Sequence, residues 1–288
     1  GPINLQPSEV AKIVMIYALT WYITLLRDRI RKLWWFAGAF ALAAIPIALI
    51  LKQPNLGTAA SLIPLVVVML YVGGCSLLHL GLVVLVALSF VPLLWWQMHD
   101  FDPDASRTAH SEEQGGVAAL FELRHHQKKR IYGFLHPESD LQDSGWQTYQ
   151  SKIAVGSGGL FGKGYLNSTQ TRLNYLPEHH TDFIFSLLAE ERGFIGVAVV
   201  LGLYAAFLLR GLMFARDCPD MMGTLLATGV VTVLGFHVFV NIAITVGVMP
   251  VTGIPLPFLS YGGSFYLTTM ACVGILLSIP MRRRMFVD

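Results

Sequence analysis

YLPEHHTDFIFSLLAEERGFIGVAVVLGLYAAFLL, residues 175–209, is the stretch of the sequence that decides the fold. From Phe183 onward it is predominantly apolar for longer than the roughly 20 residues that a helix needs to cross a bilayer. Pro177 stops a helix from entering from upstream, and Thr181 and Asp182 are residue types that cap helix N-termini. The stretch therefore predicts a membrane helix that begins at a carboxylate on a membrane surface.

Asp182 admits two interpretations at this stage. It can be a simple N-cap that follows a polar approach loop. It can also be an ionised group that the helix N-terminus holds ready for chemistry, beside Glu178, His179 and His180. Both interpretations fit the local pattern, and the rest of the chain has to separate them.

Composition extends the membrane prediction to the whole chain. Of the 288 residues, 54% are hydrophobic and 13% are charged, whereas a soluble domain carries about 25% charged residues. We predict an all-α polytopic membrane protein, a single domain over 1–288, with seven membrane helices at about Ser8–Leu26, Trp34–Leu51, Thr58–Val72, Leu77–Trp96, Phe183–Leu209, Met222–Val248 and Tyr261–Pro280. The three cysteines are well separated, so they imply no disulfide framework. The sequence contains no basic-aromatic module of the kind that binds nucleic acids.

Basic residues predict the orientation of these helices. They follow the first, fifth and seventh predicted helices, at Arg27–Lys32, at Arg210 and Arg216, and at Arg282–Arg284. With seven helices the three clusters share one face, which should be the cytoplasmic face. The long loop at about 97–181 then lies outside the cell, and so does residue 1. We therefore expect an odd number of helices to precede this sequence.

The outer loop contains two segments of interest. Residues Val117–Leu135 can form an amphipathic helix whose basic face lies on anionic headgroups, or an ordinary solvated helix. The glycine-rich run Gly156–Gly164 does not match a Walker loop, because Ser157 and Gly164 stand at the wrong positions. Its backbone amides and Lys163 could still bind a lipid-linked diphosphate. Spacing alone favours the alternative, a tight turn that packs on the bundle.

Charged residues inside predicted membrane helices form two groups. Glu9 and Lys12 share one helix face and can pair. Glu190–Arg192 can point into the bundle or a cavity, or can pair structurally with a neighbouring helix. His237 and Asn241 are more typical of interhelical hydrogen bonds than of ligands. The segment Met249–Gly263 contains three prolines and three glycines, and irregular backbone at membrane depth is tolerated where it lines a cavity. We expect it to form a wall of the cleft into which Asp182 opens.

These motifs occur in an order that resembles the SEDS family (shape, elongation, division and sporulation). The motifs are Gln6–Glu9 with Lys12, Gly156–Gly164, Leu176–Phe185 with Ala189–Glu191, and Gly253–Gly263. The segments His136–Asp140 and Lys152–Gly159 are more similar to the RodA branch than to the FtsW branch. The resemblance spans nearly the whole chain, although the acidic stretch near 101–125 is longer than is usual in the family.

The resemblance implies ten helices with cytoplasmic termini, of which this chain would lack the first three. It implies a peptidoglycan glycosyltransferase of the bacterial cytoplasmic membrane that polymerises lipid II on the outer face during elongation, with a class B penicillin-binding protein as partner. The essential carboxylate of the family falls on Asp182. Two other functions stay open, a lipid II flippase and a non-catalytic scaffold for the penicillin-binding protein.

The chemistry of this reaction assigns roles to residues. An α-linked donor and a β-1,4 product require inversion by in-line attack, so we expect Asp182 to act as the general base. The leaving pyrophosphate needs positive charge from Lys12, Lys163 or Arg172, or from a divalent cation such as Mg²⁺ or Mn²⁺ that Glu178 or His180 helps to hold. The full set of predicted substrate-binding residues is Glu9, Lys12, Ser157, Lys163, Arg172, Glu178, His180, Thr181, Ser260 and Tyr261.

Overall fold

The structure is a computed structural model that describes residues 6–53, 55–99, 125–135, 144–169 and 181–284. In these ranges the chain forms α-helices and one short 3-10 helix, Arg27–Arg31, with no strand. The α-helices are α1 (Pro7–Leu26), α2 (Leu33–Lys52), α3 (Leu56–Val72), α4 (Leu77–His99), α5 (His125–Leu135), α6 (Ser144–Ser157), α7 (Ile184–Arg216), α8 (Met221–Thr245) and α9 (Gly263–Arg284). The all-α prediction is confirmed.

Seven of these helices correspond to the predicted membrane spans. Five of them are long and apolar enough to cross a bilayer, namely α1, α2, α7, α8 and α9. Two shorter apolar helices, Leu56–Val72 and Leu77–Ser89, match the third and fourth predicted spans. The chain is therefore a multi-pass membrane protein. The largest boundary difference is at α7, which continues to Arg216 rather than ending at Leu209.

Helix α8 lies at the centre of the bundle. It contacts α1, α3, α7 and α9, and most of its side chains are buried. Small residues allow this close packing: a Cβ on Gly229 would lie 2.8 Å from the side chain of Ile16 in α1. Because most of α8 is buried, its buried polar side chains must find partners inside the protein.

The basic residues lie at one end of the bundle, as predicted. Arg31 Nε donates to Gly74 O at the end of α3 over 3.4 Å, and Arg27 and Arg31 share a cleft with Met221 at the start of α8. Arg210 near the end of α7 shares another cleft with Pro280 near the end of α9. We call this end of the bundle the basic end and the opposite end the site end.

Helices α5 and α6 pack at the site end. Arg130 of α5 donates to Val251 O at 3.5 Å, and Ser151 of α6 donates to Thr245 O at 2.8 Å. The amphipathic helix was predicted over Val117–Leu135, and its first eight residues lie outside the described ranges. Helix α6 was not predicted at all. Its buried face consists largely of small or polar residues, including Thr148, Ser151 and Ala154, so it lacks the apolar period that marks a helix in sequence.

Helix α7 is interrupted at Gly193, where φ is 64° and ψ is −169°. A break of this kind frees backbone amides and carbonyls that the helix would otherwise pair. The segment after α6 supplies their partners through four backbone hydrogen bonds: Lys163 N to Glu190 O (2.9 Å), Gly164 N to Glu191 O (3.1 Å), Phe194 N to Gly159 O (2.8 Å) and Ile195 N to Leu160 O (3.2 Å). The glycine-rich run thus bridges the two halves of α7 through backbone hydrogen bonds.

This bridging contact depends on glycine at the points where the two backbones approach most closely. A Cβ on Gly158 would lie 2.0 Å from Ala189 O, and one on Gly162 would lie 2.2 Å from Glu191 O. Gly162 also has a φ of 79°, which L side chains rarely adopt. The glycine-rich run is therefore a packing element, as its spacing favoured.

Candidate active site

A cavity of about 650 Å³ opens at the site end between α1, α3, α7 and the loop before α9. Polar and charged residues from several elements line it. They are Gln6, Glu9, Asn55, Thr58, Thr181, Asp182, His237, Tyr261 and Ser264, and the remainder of the lining is Gly253–Pro255, Gly262, Gly263 and Phe265. The segment Met249–Gly263 and Asp182 therefore line one cavity, as predicted.

Asp182 is positioned through its backbone. Asn241 Nδ2 on α8 donates to Asp182 O at 2.9 Å and to Ile254 O at 2.8 Å. Ser260 Oγ donates to Thr181 O at 2.6 Å and accepts from Leu256 N at 2.7 Å. Through these bonds, the side chains of Asn241 and Ser260 each connect the segment before α7 to the loop wall. The wholly buried ring of Phe183 anchors the next residue.

The predicted N-cap role of Thr181 and Asp182 is wrong. Residues 181–183 form a turn, α7 begins at Ile184, and the cap residue is Phe183, with no side-chain capping bond. Ser186 Oγ instead donates back to Phe183 O at 2.7 Å. The Asp182 carboxylate is half-buried at the cavity, so the simple capping interpretation of this residue no longer applies.

Glu9 and Lys12 form the pair that their spacing predicted. Lys12 Nζ lies 2.9 Å from Glu9 Oε1 and 2.8 Å from Oε2. The ammonium also lies 3.0 Å from His237 Nε2 and 5.5 Å from the centre of the Phe265 ring. Glu9 and His237 line the cavity, whereas the side chain of Lys12 is 1% exposed and lies behind them. Direct contact between Lys12 and a bound substrate is therefore not supported.

Lys163 has structural partners rather than a place at the cavity. Its amine donates to Glu190 Oε1 at 2.7 Å and to Thr169 Oγ1 at 2.9 Å. Ser168 Oγ also donates to the buried Glu190 carboxylate, at 2.5 Å. Of the two alternatives for Glu190, structural pairing applies, although its partners come from the loop after α6 and not from a neighbouring helix. Ser157 Oγ donates locally to Ala154 O at 3.0 Å, so the predicted ligand role of Ser157 is not supported either.

The remaining predicted residues have mixed positions. Thr181 and Tyr261 line the cavity, and Tyr261 is 82% exposed at its rim. Ser260 is 7% exposed and holds backbone instead of facing the cavity. Arg172, Glu178 and His180 lie outside the described residues.

The described residues contain no preformed cluster of metal ligands, and Glu178 and His180 lie outside them. No cluster of three or more His, Cys, Asp or Glu side chains occurs among the described residues, and one of the two cavity carboxylates, Glu9, is already bonded to Lys12. Structural zinc and calcium sites usually have three or more protein ligands, whereas Mg²⁺ is often held by one or two carboxylates together with substrate phosphates. We derive no step through a metal ion.

Several cavity residues escaped sequence reasoning. Asn55 and Thr58 belong to one local motif, in which Asn55 Oδ1 accepts from Thr58 N at 3.2 Å at the start of α3. The pattern Asn-x-x-Thr before an apolar run is an N-cap motif, and it marks a helix start but gives no indication of a cavity. Gln6 and Ser264 meet because Gln6 N donates to Ser264 Oγ at 2.8 Å, a contact between opposite ends of the sequence.

The geometry is that of a membrane protein with a polar site at one end of its helix bundle. A multi-pass bundle carries at one end an open polar cavity, with a carboxylate at its wall and a buried ion pair at its base. A carboxylate in such a site can take a proton from a hydroxyl group.

Comparison with known proteins assigns the family. Residues 1–285 match the FtsW/RodA/SpoVE family, described as cell cycle protein. The chain belongs to this family. It is 38% identical over 287 residues to the peptidoglycan glycosyltransferase MrdB of Escherichia coli K12, covering 99% of this chain and 70% of that protein. It is 36% identical to the peptidoglycan glycosyltransferase RodA of Treponema pallidum, covering 98% of this chain and 76% of the relative.

Solved structures show the same fold. One belongs to work on the structural coordination of polymerization and crosslinking by a peptidoglycan synthase complex, with a TM-score of 0.70 and 33% identity over 97% of this chain and 71% of that one. The crystal structure of Thermus thermophilus RodA matches with a TM-score of 0.57 and 32% identity over 96% of this chain and 66% of that one. The resemblance to the SEDS family is confirmed.

Proposed function

We propose that the protein is a peptidoglycan glycosyltransferase that polymerises lipid II on the outer face of the bacterial cytoplasmic membrane. The observation that carries the proposal is Asp182 at the wall of the 650 Å³ cavity, which is also lined by Glu9 of the Glu9–Lys12 pair. Family relatives that bear this activity in their names support it. The similarity of segments of the outer loop to RodA supports a role in elongation and cell shape.

In the proposed reaction Asp182 is the general base. The acceptor 4-hydroxyl gives its proton to the carboxylate while its oxygen attacks C1 of the donor sugar. The bond from C1 to the lipid pyrophosphate breaks as the new glycosidic bond forms, and the configuration inverts. The pyrophosphate leaves with its electron pair, and positive charge nearby lowers the energy of that step. Arg172 is a candidate for direct contact with the pyrophosphate. Lys12 is paired with Glu9, which lines the cavity, so the Glu9 carboxylate offsets the charge of Lys12 there.

A class B penicillin-binding protein is the proposed partner. A structural neighbour belongs to a complex that couples polymerization with crosslinking, and glycan strands have to be crosslinked after they form. The partner and the lipid II substrate define the assay, which uses the purified chain in detergent with its penicillin-binding protein.

The test compares the wild type with Asp182→Asn, which keeps the shape and removes the basicity. General-base catalysis contributes about 10²- to 10⁴-fold, so we expect turnover of lipid II to fall by about that factor while the melting temperature stays within a few degrees. Asp217→Asn is the matched control, because Asp217 lies at the basic end and its side chain is half exposed. Near-native polymerisation by folded Asp182→Asn would exclude the base role.

The same assay addresses the two alternatives. Transport of lipid II between vesicle leaflets without polymerisation would indicate a flippase. Stimulation of the transpeptidase with no polymerisation by the wild type would indicate a scaffold. A divalent cation at Glu178 or His180 stays a prediction of the sequence, and loss of turnover in EDTA with recovery on Mn²⁺ addition would support it.

A further inference from the structure

His237 has both ring nitrogens engaged. Nδ1 lies 3.2 Å from Pro255 O in the loop wall, and Nε2 lies 3.0 Å from Lys12 Nζ. A carbonyl oxygen only accepts hydrogen bonds, so Nδ1 carries the proton. In the neutral ring Nε2 is then bare and accepts a proton of the Lys12 ammonium. The contacts therefore select the tautomer in which Nδ1 is protonated.

The same contacts limit what His237 and Lys12 can do. The ammonium has three donors, and Glu9 and His237 take at least two of them. The His237 ring has no nitrogen left for a substrate, although it lines the cavity. A proton added at Nε2 would also face the ammonium directly, which is a repulsive arrangement. His237 is thus unsuited to donate or accept protons in the reaction.

His237 also belongs to a row of contacts that fixes the loop wall. Asn241, one turn further along α8, donates to Ile254 O at 2.8 Å, and Tyr204 of α7 donates to Pro257 O. With His237 at Pro255 O, three nearby loop carbonyls are held by buried side chains. One face of α8 therefore contacts both Lys12 and the backbone of Asp182. The two points are four residues apart, or about 6 Å along a helix axis.

We propose that His237 is a positioning residue that fixes the Lys12 ammonium relative to the loop wall and to Asp182. The inference rests on the proposed function for its kinetic consequences, whereas its structural content stands on the contacts alone. Through its bonds to Glu9, the ammonium fixes the position of a carboxylate that lines the same cavity as Asp182. The placement of such groups relative to the base affects the rate of the chemical step more than it affects binding. Stacking of the His237 ring on Phe265, with centroids 5.2 Å apart, completes the arrangement.

Two substitutions separate positioning from packing. His237→Phe keeps an aromatic ring against Phe265 and removes both polar contacts. His237→Gln has an amide oxygen that can accept from Lys12 and an amide nitrogen that can donate to Pro255 O. Thr228→Val is the matched control on α8, because it removes a buried hydroxyl that bonds only within the helix, to Thr224 O.

Kinetics with lipid II and the penicillin-binding protein provide the first measurement. Misplacement of catalytic groups by about 1 Å can cost about 10²-fold. We expect His237→Phe to lower kcat by about 10- to 100-fold with KM within a factor of about two, and His237→Gln to recover most of the loss. Thr228→Val should match the wild type in kcat. A wild-type kcat in His237→Phe, or a glutamine variant that folds but is no better than the phenylalanine variant, would overturn the proposal.

The second measurement does not depend on activity. In ¹⁵N-histidine spectra of the whole protein, the resonances lost in His237→Gln identify this ring among the nine histidines. We expect a protonated Nδ1 and a bare Nε2, with the Nε2 resonance moving in Lys12→Met. A proton on Nε2, or no response to Lys12→Met, would refute the positioning contact even in a chain that proved unable to polymerise lipid II. Inactivity of the wild type with the expected spectra would instead count against the proposed function alone.

Discussion

At the residue scale, Asp182 depends on Asn241. The Nδ2 group of Asn241 bonds two carbonyl oxygens, one from Asp182 and one from Ile254, and the side chain is wholly buried. Buried amides that satisfy two backbone groups leave both of them unpaired when they are removed. A single side chain near the C-terminal end of α8 therefore sets the position of Asp182 at the cavity wall.

Asn241→Leu tests this dependence. The change keeps the approximate volume and removes both donors, and each buried carbonyl left unpaired costs about 1–3 kcal/mol. We expect a melting temperature several degrees lower and a clear loss of polymerisation. Asn167→Leu provides the control, because Asn167 is exposed and its amide makes only a 3.4 Å contact with Lys163 O. Equal effects of the two substitutions would show that Asn241 does not position Asp182.

At the element scale, sequence reasoning succeeded where the apolar pattern was long and failed where packing was made by small or polar residues. The five helices of spanning length and the two shorter apolar helices follow from hydrophobic runs in the sequence. Helix α6 was missed because residues such as Ser151 and Ala154 bury a face without a hydrophobic period. The break at Gly193 was missed because its partner segment lies about 30 residues earlier, and pairing at that separation is not visible in local patterns.

Some residues of the candidate site could likewise be predicted from the sequence, and others could not. The Glu9–Lys12 pair followed from charge inside a membrane helix, which is costly and usually functional, and Asp182 was singled out because it stands at the start of a membrane helix. Lys163 was considered a diphosphate ligand because it lies in a glycine-rich run, but Glu190 lies against it. Spacing on a helix predicts a partner three or four residues away, whereas contacts between a loop and a helix have no such period. Asn55 and Thr58 were missed because cap residues occur at many helix starts.

The Lys163–Glu190 pair predicts an asymmetric effect on stability. Glu190 is wholly buried, whereas the side chain of Lys163 is 29% exposed. Lys163→Met leaves a buried carboxylate without its cation, a change that costs about 3–5 kcal/mol in buried pairs. Glu190→Gln leaves a cation that water can reach. We expect Lys163→Met to lower the melting temperature more than Glu190→Gln, and the double variant to recover part of the loss.

An exposed ion pair gives the comparison for these variants. Arg216 and Asp217 bond over 2.9 Å at the basic end, with side chains 77% and 50% exposed. Exposed pairs contribute about 0–1 kcal/mol, so Arg216→Met should leave the melting temperature nearly unchanged. A loss in Arg216→Met as large as that in Lys163→Met would contradict the assigned role of burial.

At the scale of the whole molecule, charge distribution predicts the orientation in the membrane. Arg27, Arg29 and Arg31 lie at the basic end, and the cavity lies at the opposite end. Short loops that are rich in Lys and Arg stay in the cytoplasm. The cavity and its carboxylate should therefore open to the outside of the cell, where glycan strands are made.

Cysteine labelling measures this orientation. In a variant without the native Cys75, Cys218 and Cys272, we introduce either Phe161→Cys or Arg29→Cys; Phe161 is 80% exposed at the site end. A membrane-impermeant maleimide added to spheroplasts should label Phe161→Cys at once. Arg29→Cys should react only after the membrane is permeabilised, which also serves as the control for reactivity. The reverse pattern would place the cavity in the cytoplasm and would exclude polymerisation on the outer face.

The interrupted helix also has a mechanical consequence. On the cavity side of Gly193, the first turns of α7 have their free carbonyls bonded to the glycine-rich run, and beyond Gly193 the next amides do the same. The short piece from Ile184 to Arg192 is thus coupled to the extramembrane segment as firmly as to the remainder of its own helix. If a lipid or a bound protein displaced the glycine-rich run, the piece from Ile184 to Arg192 would move with it, and so would the Asp182 carboxylate that precedes this piece.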